Sequence, residues 1–400
     1  EGESRMILPI TSCNLRYELK NIGVHQASIE TFMNKSAILP LKVLKVRTPA
    51  ANIIKQEMLA CGGDCAIHAG CVVCAQDHSD ILLLGTKKHY RLLLQKMAMM
   101  PYFGLPKIKE ELQLFLENAP LKTILADNRV LEYDHVVVMG ILNITPDSFY
   151  ADSRVRGIDE VINRAGQMLR DGAEILDIGG ESTRPGSDSI NPQEEIARIV
   201  PVVEALRKEY PQSILSIDTY HAETAEATLA SGADIINDIS AMEYDEKMID
   251  VVVKNNAPVI LMHMRGTPKN MQQNTEYGNV VEEVSKYLKE RAEMLRGHNF
   301  PKEKIILDPG IGFAKNVDQN LKLMQGLSEM TGSDYPVLLA ASRKSTIGKV
   351  LGDIPPEARL AGTIATSCQA VYAGANMVRV HDVKENIQAI RMLEAIIKCQ

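Results

Sequence analysis

Long hydrophobic runs are missing from this 400-residue sequence. No apolar stretch approaches the roughly 18–20 residues that a membrane-spanning helix needs, so no membrane partner is expected. The opening residues Glu1-Gly2-Glu3-Ser4-Arg5 lack the apolar core of a signal peptide. A surplus of positive charge is missing too. With 44 basic and 51 acidic residues the net charge is −7, which gives no reason to expect nucleic acid. The first 120 residues hold 14 basic and 11 acidic residues, too small a difference to imply a polyanion. The cysteines cannot all pair, since there are seven, five of them before residue 75. That count argues against a disulfide scaffold and for a reducing cytoplasm.

What is present is an ordinary globular composition, 45% hydrophobic and 24% charged. Its length suggests two domains. Residues 1–125 read as a small α+β domain, with a boundary in the span 119–129. Helical patterns cover 22–36, 51–60, 86–100 and 107–118, and strand patterns 41–46, 66–73 and 80–84. Cys61, Cys65, Cys71 and Cys74 invite a zinc site. However, Val72 and Val73 read as strand, which would turn Cys71 and Cys74 to opposite faces. Structural cysteines are the preferred reading.

From residue 130 the chain alternates apolar strands with amphipathic helices. Strands are expected at 136–143, 174–178, 213–218, 234–239, 258–263, 304–308, 337–342 and 376–380. Helices are expected at 158–171, 192–209, 221–231, 245–255, 276–297, 317–331, 355–373 and 383–398. Eight such units over 130–400 match a (β/α)₈ TIM barrel. A doubly wound sheet is disfavoured, because no Gly-x-Gly-x-x-Gly turn follows the first strand.

Each strand ends in a polar tip: Asn143, Asp177, Asp218-Thr219, Asn237-Asp238, Met262-His263-Met264-Arg265, Asp308-Pro309-Gly310, Ser342-Arg343-Lys344 and Arg379-Val380-His381-Asp382. One buried Asp or Asn is often only a satisfied structural group. Eight tips with the same habit point to one shared polar mouth, where barrel enzymes hold their chemistry.

These residues resemble the dihydropteroate synthase family over about residues 133–398. Leu-Asn-Ile-Thr-Pro-Asp-Ser-Phe at 142–149 and Asp-Ile-Gly-Gly-Glu-Ser-Thr-Arg-Pro-Gly at 177–186 carry the resemblance most strongly. Ser-Ile-Asp-Thr at 216–219, Ile-Asn-Asp at 236–238 and Asp-Pro-Gly-Ile-Gly-Phe at 308–313 follow in order. Ser-Arg-Lys-Ser at 342–345 and Arg-Val-His-Asp at 379–382 complete it. The resemblance implies condensation of hydroxymethyl-dihydropterin pyrophosphate with p-aminobenzoate in folate biosynthesis. It also implies magnesium as cofactor and a homodimer.

By this resemblance Asp218, Asn237, Met262, Asp308, Phe313 and Lys344 bind the pterin. Carboxylates and amides suit a ring edge of fixed donors and acceptors, and Met and Phe suit its faces. Asn143, Arg379 and His381 take the pyrophosphate, with Asn143 also holding the metal. Phe149, Thr183, Arg184, Pro185, Phe313 and Ser345 surround p-aminobenzoate. For Arg184 an alternative role, binding the acids of the first loop, stays open. The catalytic set is Asp147, Asp218, Lys344, Arg379 and His381. One departure is visible: Tyr150-Ala151-Asp152-Ser153 stands where the family usually has Ser-Asp-Gly-Gly. It bears on p-aminobenzoate and sulfonamide binding. Two rival functions share the barrel, a methyltetrahydrofolate–corrinoid methyltransferase and a non-catalytic pterin-binding paralogue. The methyltransferase would not need a pyrophosphate site, and the altered first loop is the paralogue's only support. For the N-terminal domain, dimerisation, regulation and partner binding all stay open.

Overall fold

The computed structural model describes residues 15–117, 120–144, 154–181, 190–267, 269–331 and 334–399. The chain divides into two compact units, one within Glu1–Ala119 and one spanning Pro120–Lys398.

The first unit holds an antiparallel sheet of β1 (Leu39–Arg47), β2 (Asp64–Ile67) and β3 (His78–Gly85), in the order β1-β3-β2. Along β3 alternate residues are buried, the period-2 pattern of a half-covered sheet. Ile81 and Leu83 share a core with Ala50, Ala51, Ile54 and Met58 of helix Thr48–Cys61, and with Tyr90, Leu93 and Met97 of helix Lys87–Met97. The first helix stops at Gly62, whose φ of 86° suits a residue without Cβ.

The strand expected at 66–73 ends early, at Ile67. His68 accepts a hydrogen bond from the Gly70 amide and caps a short 3₁₀ turn over Ala69–Cys71. Val72 and Val73 are exposed, not strand residues. Cys65 and Cys71 are buried, Cys74 is exposed, and the six described cysteines are all free. The cysteine quartet does not gather into a metal-type cluster among the described residues.

The second unit opens with a hairpin, β4 (Lys122–Ile124) and β5 (Val130–Glu132). Eight parallel strands follow: β6 (Val137–Asn143), β7 (Ile175–Gly179), β8 (Ile214–Asp218), β9 (Ile235–Asp238), β10 (Val259–Met262), β11 (Ile305–Asp308), β12 (Leu338–Leu339) and β13 (Met377–Val380). Their order is β11-β10-β9-β8-β7-β6-β13-β12. A single parallel bridge, Leu307 to Val337, joins the two ends of the sheet. The fold is thus a nearly closed TIM barrel. Of the strand expected at 337–342 only Leu338 and Leu339 pair with β13, so this seam is the thinnest part of the wall.

The expected helices all form, with three local differences. The first begins at Arg154. The sixth breaks at Gly326 into Val317–Gln325 and Leu327–Thr331. The seventh starts only at Leu360, after the pair Pro355-Pro356 directs the chain into a 3₁₀ turn.

Inside the barrel, Val137, Met139, Ile175, Ile235, Ile260, Ile306, Leu338 and Met377 form one apolar layer. Leu125 and Leu131 of the hairpin region belong to the same cluster, so the hairpin plugs the amino-terminal end of the barrel. Each such side chain contributes about 1.5–3 kcal/mol when fully buried. Lys304, itself buried, clips the plug by donating to the carbonyls of Ile124 (2.8 Å) and Leu125 (3.1 Å). Asp234, just before β9, accepts from Arg207 (2.6 Å), from the Leu215 amide (2.8 Å) and from Arg129 in the hairpin turn. Asp234→Ala leaves two guanidinium groups and an amide without their shared acceptor. Because both arginines are partly exposed, the expected loss is about 2 kcal/mol. A fall in Tm checks it; an unchanged Tm would mean the plug does not depend on this cluster.

Candidate active site

With the amino-terminal end plugged by apolar side chains, the inward positions nearest the carboxyl ends are the polar ones. The parallel register explains which residues meet. Asn143 pairs with Gly179, Gly179 with Asp218, and Asp218 with Asn237, so these four positions lie level along the rim. Because Gly179 has no side chain, room is left between its neighbours. A Cβ there would lie 3.8 Å from both Asn143 Oδ1 and Asp218 Oδ2.

Arg379 reaches across this space from β13. Its Nε donates to Asp177 Oδ2 at 2.6 Å and its Nη2 to Asp218 Oδ2 at 2.8 Å. Asn237 turns its amide toward both oxygens of Asp177, at 3.3 and 3.5 Å. Asp177 is fully buried, and Arg379 keeps 16% of its side chain exposed. Two carboxylates therefore share one cation in a site nearly closed to water. Burial pushes the Asp218 carboxyl up to about 7; Arg379 pulls against this, while Asp177 and Glu195 add to the rise. Its second oxygen, Oδ1, is buried with no hydrogen-bond partner.

On the opposite arc Asp308 is buried, and its Oδ1 accepts from the Gly310 amide at 2.7 Å. Burial raises its pKa against the pull of Lys344. Lys344 donates to the Ile311 carbonyl at 2.6 Å and sits 4.7 Å from the Phe313 ring centre. Desolvation lowers its amine to about 8. Phe313 and Met262 join Ile239, Met264, Met271 and Ala314 in a small apolar cluster, with Tyr220 packed against it. His381 shares a 2.9 Å hydrogen bond with the Ser342 hydroxyl, and burial holds its imidazole down to about 4. Arg343 instead turns to Asp382, with two bonds of 2.8 and 2.6 Å. Ser345 is exposed and begins the helix that follows Lys344.

Several of the residues expected in the site therefore come together at one end of the barrel: Asn143, Asp218, Asn237, Met262, Asp308, Phe313, Lys344 and Arg379. Asp147, Phe149, Thr183, Arg184 and Pro185, with the divergent segment 150–153, lie outside the described residues.

Two partners were not anticipated as site residues. Asp177 reads in the sequence only as a strand tip, yet it holds both Arg379 and Asn237. Glu195, in the first turn of helix Pro192–Glu209, accepts from Thr219 (2.9 Å), Thr224 (2.7 Å) and His221 (2.9 Å) directly behind Asp218. An acid in a first helical turn is commonplace, so no sequence signal marks it. Glu181, Glu195 and His221 are the one group among the described residues whose ligand-type atoms lie within 4.8 Å of one another. Tyr220 donates to Glu181 Oε1 at 2.8 Å, while Glu181 Oε2 and Glu195 Oε1 are buried without a hydrogen-bond partner.

A plugged barrel with a polar mouth at its strand ends defines a barrel enzyme. The chain belongs to the pterin binding enzyme family, which matches residues 139–381. Its relatives narrow the class to the dihydropteroate synthases. The dihydropteroate synthase of Synechocystis sp. is 43% identical over 259 residues, covering 65% of this chain and 89% of that protein. That of Escherichia coli is 39% identical over 277 residues, covering 69% and 97%. The solved dihydropteroate synthase of Xanthomonas albilineans with 4-aminobenzoic acid superposes with a TM-score of 0.64 at 35% identity, over 70% of this chain and 98% of that one. The Burkholderia cenocepacia enzyme with 7,8-dihydropteroate gives 0.62 at 40% identity, over 69% and 96%. Much of the first unit lies outside these matches.

The raised pKa of Asp218 makes a signed prediction. A carboxyl that binds its proton more tightly when folded loses stability as pH rises from about 4 through about 7. Asp218→Asn lacks this loss. Its Tm relative to the unsubstituted chain should therefore climb over that interval and level off above it. A Tm difference that stays constant with pH would contradict a raised Asp218.

Proposed function

We propose that this chain is a dihydropteroate synthase. The amine of p-aminobenzoate attacks the methylene carbon of hydroxymethyl-dihydropterin pyrophosphate. A C–N bond forms, the C–O bond to pyrophosphate breaks with its electron pair leaving on oxygen, and the amine gives up one proton. The observation that carries this reading is the rim of buried Asn237 and Asp308 with half-buried Asp218 and Lys344 beside the Met262–Phe313 wall. It offers carboxylates for ring N–H and amino groups, an amide for mixed contacts and an ammonium for the ring carbonyl. A site that pairs every polar atom of a ligand also rejects ligands that leave one unpaired.

Arg379 and His381 stand two residues apart on and just after β13 and supply the pyrophosphate side. Asn143 is exposed at the end of β6, with its oxygen close to the Gly179 gap that Asp218 also borders. The Asn143 side-chain oxygen is a ligand of the type that suits magnesium, which keeps several waters and shares substrate phosphates. When bound, the ion neutralises charge on the pyrophosphate. Departure of the pyrophosphate ahead of amine attack leaves a cation on the methylene, which Asp218 stabilises. p-Aminobenzoate enters last, near Phe313 and Ser345.

A homodimer is part of the same reading. Tyr372, Met392 and Ile396, on the last two barrel helices, are large apolar side chains left exposed. The free thiols of the described cysteines support a reducing, cytoplasmic setting. Among the described residues no helix is long and apolar enough to cross a membrane.

The test is incubation of the purified chain with the pterin pyrophosphate, p-aminobenzoate and magnesium, followed by chromatography for dihydropteroate. Product with equimolar pyrophosphate is expected. Tight pterin binding without product would instead favour a binding paralogue. Asp308→Asn should weaken pterin binding by about 2 kcal/mol, the cost of a misplaced buried partner. Asp218→Asn should lower kcat more than it weakens pterin binding. Equal effects on both would remove the cation-stabilising role.

A further inference from the structure

Lys315 lies in the loop after β11, two residues beyond Phe313, and is only 2% exposed. Its Nζ is 2.8 Å from the Phe313 carbonyl, 3.0 Å from that of Gly310, 3.3 Å from that of His263 and 2.9 Å from His263 Nδ1. The amine thus has four polar partners, and no carboxylate is among them. Burial pushes the amine well below its usual value, with Asp308 pulling it back up.

Gly310, Gly312 and Ala314 of this loop all take left-handed φ values of 69°, 86° and 52°, and the carbonyls of Gly310 and Phe313 turn to the amine. The backbone is also pressed against the neighbouring strand end: a Cβ on Gly310 would collide with the His263 carbonyl. The loop 309–314 also carries three contacts of the mouth. Gly310 donates to Asp308, Ile311 accepts from Lys344, and the Phe313 ring lies under the Lys344 ammonium. Lys315 touches none of the groups that would face a ligand, yet it fixes the backbone from which three of them are set.

We propose that Lys315 is a positioning residue for pterin recognition. Its buried amine ties the 309–314 loop to His263, so that Asp308, Lys344 and Phe313 are in place before the ligand arrives. The proposal rests on the pterin-binding reading above.

The test compares two buried lysines. Lys304 is also held by backbone carbonyls, but at the plugged end of the barrel. Lys315→Met and Lys304→Met are titrated with 6-hydroxymethylpterin, well below the Tm of either. Both should lose thermal stability, but only Lys315→Met should raise the Kd, by about tenfold or more. If Lys315→Met melts lower but binds the pterin like the unsubstituted chain, its role is structural only and the proposal falls. Should Lys315→Met fail to fold, His263 gives a second route. His263→Asn keeps an acceptor near the Nδ1 position and should retain affinity, whereas His263→Leu should lose it. Equal affinity in both would overturn the proposal. An unsubstituted chain that does not bind the pterin would overturn this inference together with the functional reading. Normal binding with an unaltered Lys315→Met would overturn this inference alone.

Discussion

The barrel mouth depends on one ionic clasp, Arg379 held between Asp177 and Asp218. Each member would be costly alone. A guanidinium at this depth needs carboxylates, and two carboxylates this close need a cation. Together they bridge β7, β8 and β13 across the barrel opening, through bonds of 2.6 and 2.8 Å between residues 202 and 161 positions apart. Asn237 leans on Asp177 from β9. The clasp therefore fixes four strand ends relative to one another. It also balances charge incompletely, leaving Asp218 with an open oxygen and a pKa raised by burial.

A mouth this polar is tolerated because the other end of the barrel is not. The interior layer from Val137 to Met377, closed by Leu125 and Leu131, provides apolar burial without polar atoms to satisfy. The hairpin is in turn tied down by Lys304, Arg129 and Asp234. One end of the barrel thus serves stability and the other recognition, joined by strands of two to seven residues. On the far side of the mouth the loop after β11 is prebuilt in the same spirit. Lys315 holds it from behind, and Lys344 crosses it in front.

Much of this was legible in the sequence. The apolar strands, their spacing and their polar tips each follow from local pattern, and they placed Asp218, Asn237, Asp308, Lys344 and Arg379 at one rim. What local pattern could not convey is which tips would pair. Asp177 looks like any strand-end acid until the barrel closes and brings Arg379 to it. Glu195 and Lys315 act through loops and helices whose contacts are made only in three dimensions. The seventh strand shortened to two paired residues because the barrel seam, not its own composition, limits its partners. In the first unit, Cys71 and Val72 looked like strand, but a His68-capped turn intervened. A side-chain cap of that kind overrides an apolar run.

The role proposed for Arg379, steadied by two acids, is that of cationic seat for the leaving pyrophosphate. Titrating inorganic pyrophosphate with magnesium into the unsubstituted chain and into Arg379→Met tests it. The substitution should weaken pyrophosphate binding at least about tenfold, the scale of one lost charge-assisted contact. Pyrophosphate binding of equal strength in the two proteins would contradict it.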